Sequence, residues 1–263
     1  MNQQSTNNEA TSNDAINDVV ILTEITPEIV QIKMQDKKNK NTFSYELSVG
    51  LLTAFDQIAK NKSYKVVILT GYGPYFCSGG TQQGLTNLHQ GEGTFADVNL
   101  YSLAMDCEIP VISAMQGHGI GGGFVMGLYS DFVVLCYEAV YTTNFMKYGF
   151  TPGMGATYIL NKKLGTSLAS EMLISANTFR GATLKERGVP YAVLPREELM
   201  DYVYELAQSV AEKPRKALVT LKKHLVKTMR EELPSVIAEE VAMHDETFHG
   251  QEVIDNITTK FGK

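Results

Sequence analysis

The sequence has no apolar run close to the roughly 20 residues that cross a bilayer. Its opening stretch MNQQSTNNEATSND is polar where a secretory signal would be basic and then apolar. A soluble, cytoplasmic chain without membrane contact is therefore expected. A basic excess is also missing: 23 Lys and Arg stand against 29 Asp and Glu, leaving a net charge of -6. No global field attracts nucleic acid or anionic lipid. Cysteine is scarce, and Cys77, Cys107 and Cys136 are odd in number and lack C-x-x-C or metal-ligand spacing. They read as buried reduced thiols, and no metal site is expected.

What remains is globular. With 44% hydrophobic and 20% charged residues in 263, a sizeable core is available to one domain plus an appendage. Residues 1–17 are rich in Asn, Gln, Ser and Thr and read as a disordered leader. VVILTEI (19–25) and EIVQIKM (28–34), split by Thr26 and Pro27, read as a β-hairpin. Ser44 is placed to cap a helix whose Leu47, Leu51, Leu52, Phe55, Ile58 and Ala59 keep helical spacing up to Lys60.

Next come a buried strand (64–71), a Gly-rich loop (71–84), a helical pattern near 95–106, a strand (110–115), a second Gly-rich turn (117–123), a short helix and a strand (131–138). Apolar strands alternating with helices imply parallel pairing with both sheet faces covered. From about residue 195 strand signals vanish, leaving helices near 196–211, 214–230 and 233–248, broken at Pro214 and Pro234. The expected units are a leader (1–17), an α/β core (18–195) and a C-terminal helical region (196–263).

The second glycine turn has two readings. GHGIGG (117–122) matches G-x-G-x-x-G after a strand and before a helix, and Glu138 at the end of the next strand could hold a ribose hydroxyl. Against an NAD-dependent oxidoreductase stand the mid-chain position, the short helix and a third consecutive glycine, Gly123. The other reading joins this turn to FCSGGT (76–81). Each loop follows an apolar strand and could aim one backbone N–H at a common point, the second from a helix N-terminus. Two converging N–H donors form an oxyanion hole, suited to a thioester whose carbonyl oxygen gains charge as an enolate forms. Glycine lets the backbone approach a ligand without a Cβ.

These paired loops, followed by YGFTPGMGAT (148–157), resemble the crotonase, or enoyl-CoA hydratase/isomerase, superfamily over about residues 19–263. The resemblance implies an α/β crotonase fold, with a spiral of repeated ββα turns and a C-terminal helical trimerisation region. It also implies a homotrimer or dimer of trimers and a pantetheine thioester ligand. The oxyanion donors would be the amides of Gly80 and Gly122, with Ser78 beside the pantetheine or adenine end.

Departures from the family pattern direct the chemistry. Hydratases carry one Glu where this chain has Val125 and a second where it has Phe145, while Thr81 replaces the Asp of the first loop. Water addition needs one group to activate water and another to protonate carbon, so hydration is disfavoured. A pocket lined by Val125 and Phe145 suits destabilisation of a substrate carboxylate, with the hole accepting the electrons left by CO2. GGTQQGL (79–85), the run through the second glycine turn and MHDETFHGQEV (243–253) resemble the decarboxylase-type hydratase homologues of polyketide β-branching cassettes. That resemblance implies decarboxylation of a 3-methylglutaconyl-type thioester on an acyl carrier protein, with no cofactor beyond the phosphopantetheine that carries it. A hydratase/isomerase activity or a catalytically silent scaffold are the alternatives.

His244 is then the candidate proton donor to the dienolate, an imidazolium there also being able to pair with the carboxylate. His249 is expected to cap or face solvent, and His118 to make a structural hydrogen bond. Some related decarboxylases use a Lys after the first loop, but none occurs between positions 66 and 146. The carboxylate contact is therefore left to Gln82, Gln83, His89 or His244. Lys213, Arg215, Lys216, Lys222 and Lys223 form the densest basic stretch. They read either as ordinary helix solubility or as a phosphate contact and carrier-protein docking patch.

Overall fold

The computed structural model describes residues 13–94, 97 and 99–262. β1 (Asn13–Asn17) pairs antiparallel with β2 (Val20–Thr26), which forms the expected hairpin with β3 (Ile29–Met34). Residues 13–17 were expected in a disordered leader; backbone pairing to β2 orders them, and residues 1–12 lie outside the described residues. α1 (Tyr45–Lys60) begins as expected at Ser44, whose hydroxyl accepts the Leu47 N–H at 3.2 Å. That bond satisfies one of the helix's orphan donors.

Three successive units then place one strand in each of two sheets. β4 (Val66–Thr70), β5 (Tyr75–Cys77) and α2 (Gln82–His89) form the first. After the single turn α3 (Leu103–Asp106), β6 (Val111–Met115), β7 (His118–Ile120) and α4 (Gly122–Leu128) form the second. β8 (Phe132–Cys136) and β9 (Val140–Thr142) end in a 3-10 turn at Met146–Tyr148.

There follow α5 (Ala156–Leu164), α6 (Thr166–Ser175), β10 (Phe179–Arg180), α7 (Gly181–Glu186), β11 (Ala192–Leu194), α8 (Arg196–Ala211), α9 (Arg215–Leu225), α10 (Lys227–Thr247) and α11 (Gln251–Lys260). The large sheet runs β1-β2-β3-β4-β6-β8-β11, parallel from β3 onward, and the small one runs β10-β9-β7-β5. This is the ββα spiral that the glycine motifs implied. β4 and β6 are buried at every position, as parallel strands covered on both faces must be. Tyr141 pins the two sheets, its hydroxyl donating to the Met115 carbonyl at 2.9 Å and accepting the Cys136 N–H at 2.8 Å.

Other expectations are corrected. Of the helical pattern near 95–106, residues 95, 96 and 98 lie outside the described residues and α3 is the helix found among the rest, while the two glycine loops contain the short strands β5 and β7. Helix α8, assigned to the C-terminal appendage, packs across β3, β4, β6 and β8 as a layer of the core. Pro214 does delimit a helix, standing just before α9, but Pro234 lies inside α10, which continues through it. Interior proline removes a ladder bond at a cost of about 3 kcal/mol. Tertiary anchoring of α10 through buried Leu233, Glu240 and His244 offsets that loss. Among the described residues no helix is long and apolar enough to cross a membrane.

Glu240 is the chief of these anchors. Its buried carboxylate accepts the Gly155 N–H at 2.7 Å, the Thr157 N–H at 2.9 Å and the Thr157 hydroxyl at 2.6 Å, capping α5 from a distant part of the chain. Negative charge at a helix N-terminus is favourable, and three donors would be orphaned without it. Glu240→Ala is expected to lower stability by about 3 kcal/mol in denaturant titration, with Glu240→Gln intermediate.

Candidate active site

The two glycine turns meet. At Gly79, whose φ is +75°, an added Cβ would lie 2.7 Å from the Ile120 carbonyl oxygen and 3.1 Å from the Gly122 nitrogen. At Gly123 it would lie 2.2 Å from the Cys77 carbonyl oxygen. Only glycine permits this approach of backbone on backbone. The first turn is further tied to the segment before α1, Phe43 donating its N–H to the Gly79 carbonyl at 2.7 Å. Ser78 donates its N–H to the Asn41 carbonyl and its hydroxyl to that of Lys40, at 3.0 and 2.6 Å. Beneath them the Cys77 thiol donates to the Asn41 carbonyl at 3.1 Å.

Beside these turns opens a cavity of 880 Å³ lined by Ser78, Gly80, Gln82, Gly121 and Gly122 among others. Gly122 is the first residue of α4, where a backbone N–H has no intrahelical acceptor. Among the hydrogen bonds of the described residues, neither the Gly80 nor the Gly122 amide donates to a protein group. Two unengaged amides on adjoining turns thus face one cavity. Thr81, in place of the family's Asp, serves as N-cap of α2, accepting the Gly84 N–H at 2.9 Å.

Part of the wall is apolar, formed by Leu85, Leu100, Phe145, Phe150, Met154 and Phe261, while Lys38, Lys40 and Lys147 add cations to the lining. The carboxylates that reach it are Glu92 and Asp97, the latter held by the backbone N–H and hydroxyl of Thr94 at 2.7 and 2.8 Å. Neither occupies the position of a hydratase Glu.

The sequence-derived candidates fare unequally. Gly80, Gly122, Ser78, Gln82 and Phe145 line the cavity. Val125 does not: it is fully buried within α4, so the expectation that it faces the ligand is corrected. Gln83 donates to Asn87 at 2.6 Å, outside the lining. His89 is bonded to the Gly250 carbonyl and His249 to the His89 carbonyl, tying α2 to the turn before α11. His118 accepts the Val140 N–H at 3.1 Å, the structural bond expected of it.

His244 is also outside the lining. Its Nε2–H donates to the Thr151 carbonyl at 2.7 Å, and its ring packs on Phe150 and Phe248. Burial, only partly countered by the bond to Thr151, holds the imidazole below its usual value. It is a neutral wall-building residue in this arrangement rather than an imidazolium facing substrate.

The basic stretch is dispersed. Lys222 is 3% exposed, 2.7 Å from Asp131, and donates to the Ala104 and Ile109 carbonyls. Arg215 bonds to Glu108 and the Tyr64 carbonyl, and Lys213 pairs with Glu212. Lys216 and Lys223 are exposed, and none of the five lines the cavity. The phosphate contact expected of this stretch is therefore not at the cavity. Glu138, the proposed ribose contact of an NAD site, instead accepts the Arg196 N–H at 3.1 Å.

Sequence reasoning missed Lys38, Lys40, Asn144, Tyr148, Phe150 and Phe261, all in the lining. The run KKNK (37–40) was a visible signal for the first two.

Adjoining glycine turns with unengaged amides, set in a ββα spiral, define a crotonase. The chain belongs to the enoyl-CoA hydratase/isomerase family, whose model matches residues 24–260. It is 62% identical over 244 residues to the bacillaene synthase decarboxylase PksI of Bacillus subtilis, covering 93% of this chain and 98% of that one. A solved structure from a dehydratase/decarboxylase enzyme couple involved in polyketide β-branching superposes with a TM-score of 0.95 at 59% identity, covering 96% of this chain and all (100%) of that one. The decarboxylase domain of CurF from Lyngbya majuscula gives 0.89 at 45% identity, covering 93% and 100%.

The neutral state of His244 has a thermodynamic signature. Because the unfolded chain takes up this proton at a higher pH than the folded one, stability is lost as pH falls below about 6.5. Thermal melts between about pH 7 and pH 5 are expected to show a smaller loss in His244→Gln than in the parent chain. Equal losses would mean the ring titrates alike in the folded and unfolded chain.

Proposed function

We propose that this chain decarboxylates a 3-methylglutaconyl-type thioester carried on an acyl carrier protein during polyketide β-branching. The observation that carries the reading is a pair of unengaged amides beside a cavity with an apolar face and without either hydratase carboxylate. The relatives with decarboxylase names support the same chemistry.

The thioester oxygen sits between the amides of Gly80 and Gly122. The substrate carboxylate lies against Phe145, Phe150 and Met154, the apolar part of a lining that elsewhere includes Lys38, Lys40 and Lys147. Cleavage of the C–CO2 bond sends its electron pair into a dienolate, with the negative charge on the thioester oxygen held by the two N–H donors. CO2 departs neutral, relieving the charge from the apolar wall. A proton then forms the new C–H bond. Bonds and electrons balance without a redox partner.

Hydration is disfavoured because Val125 and Phe145 stand where a hydratase carries its two Glu residues. We take Tyr148 rather than His244 as the proton donor. Tyr148 lines the cavity with its phenol 3.5 Å from the Asn144 amide, and Asn144 in turn borders Gly121 beside the hole. Burial raises the Tyr148 phenol above its usual value and keeps it protonated. Exposed Ile174, Leu221 and Leu225 supply apolar surface for the homotrimer or dimer of trimers proposed as the assembly.

Two measurements test this reading. Gly122→Pro deletes one donor at the first position of α4, where its ring also presses on Met154 and Phe43, and is expected to reduce turnover by at least about 10²–10³. Circular dichroism would verify the fold, and mass spectrometry of a loaded carrier protein would read the loss of CO2. Parent protein that never releases CO2 would leave a silent scaffold as the better description. Tyr148→Phe is expected to slow product formation at least about tenfold and to alter the isomer ratio read by NMR in deuterated water. Were His244→Gln alone to alter that ratio, the proton donor would be His244.

A further inference from the structure

The segment between β3 and α1 is built with unusual care for an exposed turn. Buried Asp36 accepts from the Asn39 N–H at 3.0 Å, the Asn39 amide at 2.8 Å and the Ser44 hydroxyl at 2.7 Å. Buried Asn41 accepts the Asp36 N–H at 2.7 Å and donates to the Met34 and Phe76 carbonyls at 3.1 and 2.9 Å. Lys40 and Asn41 are consecutive non-glycine residues in the left-handed region, with φ of 54° and 53°. Such backbone persists only where surrounding bonds over-determine it.

This frame holds Lys37, Lys38 and Lys40 outward at fixed positions. All three are exposed, and among the described residues none is in a salt bridge. Lys40 lies over the Tyr75 ring at 5.8 Å. Lys38 and Lys40 rim the cavity on the Ser78 side, whereas Glu92 and Asp97 belong to the segment after α2. The mouth therefore has a cationic margin in a chain whose net charge, -6, would otherwise repel an acidic partner.

A second feature adjoins it. Tyr45, Val49 and Leu52 are 79%, 39% and 42% exposed. Their i, i+4, i+7 spacing puts them on one stripe of α1. Ser48, next to this stripe, itself lines the cavity. Unpaired cations and an uncovered apolar stripe thus meet at the opening through which a tethered thioester must pass.

We infer that the Lys37–Lys40 turn and the Tyr45–Leu52 face of α1 form the docking surface for the acyl carrier protein. An acidic helix of the carrier pairs with the lysines and lays its apolar residues on Tyr45 and Val49, directing its arm past Ser78 to the hole. The inference rests on the function proposed above. It names a different surface from the basic stretch at 213–223, whose central residues are held within the fold. Charge of this kind on a rim chiefly speeds association and depends on salt.

The test compares two substrates, the acyl group on the carrier protein and the same group on free phosphopantetheine. In Lys37→Glu/Lys38→Glu and in Tyr45→Ser/Val49→Ser, the ratio of KM for the carrier substrate to KM for the free thioester is expected to rise at least tenfold. The salt dependence of carrier turnover is expected to weaken in the lysine variant. Lys216→Glu/Lys223→Glu is expected to leave the ratio unchanged. If KM rises equally for both substrates, the lysines bind only the phosphate of the arm and the docking inference is overturned. A change in oligomeric mass by light scattering in Tyr45→Ser/Val49→Ser would make this face a contact between copies and also overturn it. Parent protein inactive on both substrates would refute the proposed function instead, so the two failures are distinguishable.

Discussion

The structure depends on one close approach, that of the β5–α2 turn to the start of α4. The Gly79 and Gly123 backbones lie where any side chain would collide with the opposing main chain. The contact joins consecutive turns of the spiral and brings amides from separate units to the same wall. It also determines which donors remain available. A helix start leaves its first N–H groups without intrahelical partners, and here one of them opens onto a cavity instead of a capping side chain. The pair of unengaged amides therefore follows from packing two βα corners together.

The rest of the site is defined by what surrounds that pair. In a hydratase, carboxylates near the hole would move protons to and from water. Here aromatic and sulfur-containing side chains, Phe145, Phe150 and Met154, stand in that part of the wall. Oxyanion stabilisation is common to the fold, while the identity of the wall selects the outcome.

The sequence was informative wherever a local rule met a local cause. Buried strands β4 and β6, the Ser44 cap and both glycine turns were legible because hydrophobic runs, capping chemistry and absent side chains act at short range. The three-residue strands β5 and β7 were hidden in the glycine loops, being too short to show periodicity. Lys222 looked solvent-exposed because its partner, Asp131, lies far away in the chain. Pro234 predicted a break that buried Leu233, Glu240 and His244 override. Val125 and Phe145 were equivalent as substitutions of expected acids, yet only the second faces the cavity, a distinction set by the orientation of α4 in three dimensions.

Cys77 sits directly beneath the glycine turn, beside the cavity proposed to take an activated acyl group. A thiolate there would be a competing nucleophile, able to take the acyl group by thioester exchange and acylate the enzyme itself. Complete burial pushes the thiol up to about 12, far outweighing the opposing hydrogen bond from the Gly79 backbone. The proton engaged by Asn41 stays on sulfur. Since thiolate is the reactive species, the protein keeps a sulfur atom next to a thioester site while remaining chemically deaf to it. The same burial shields the residue from oxidants and alkylating agents for as long as the fold stays closed.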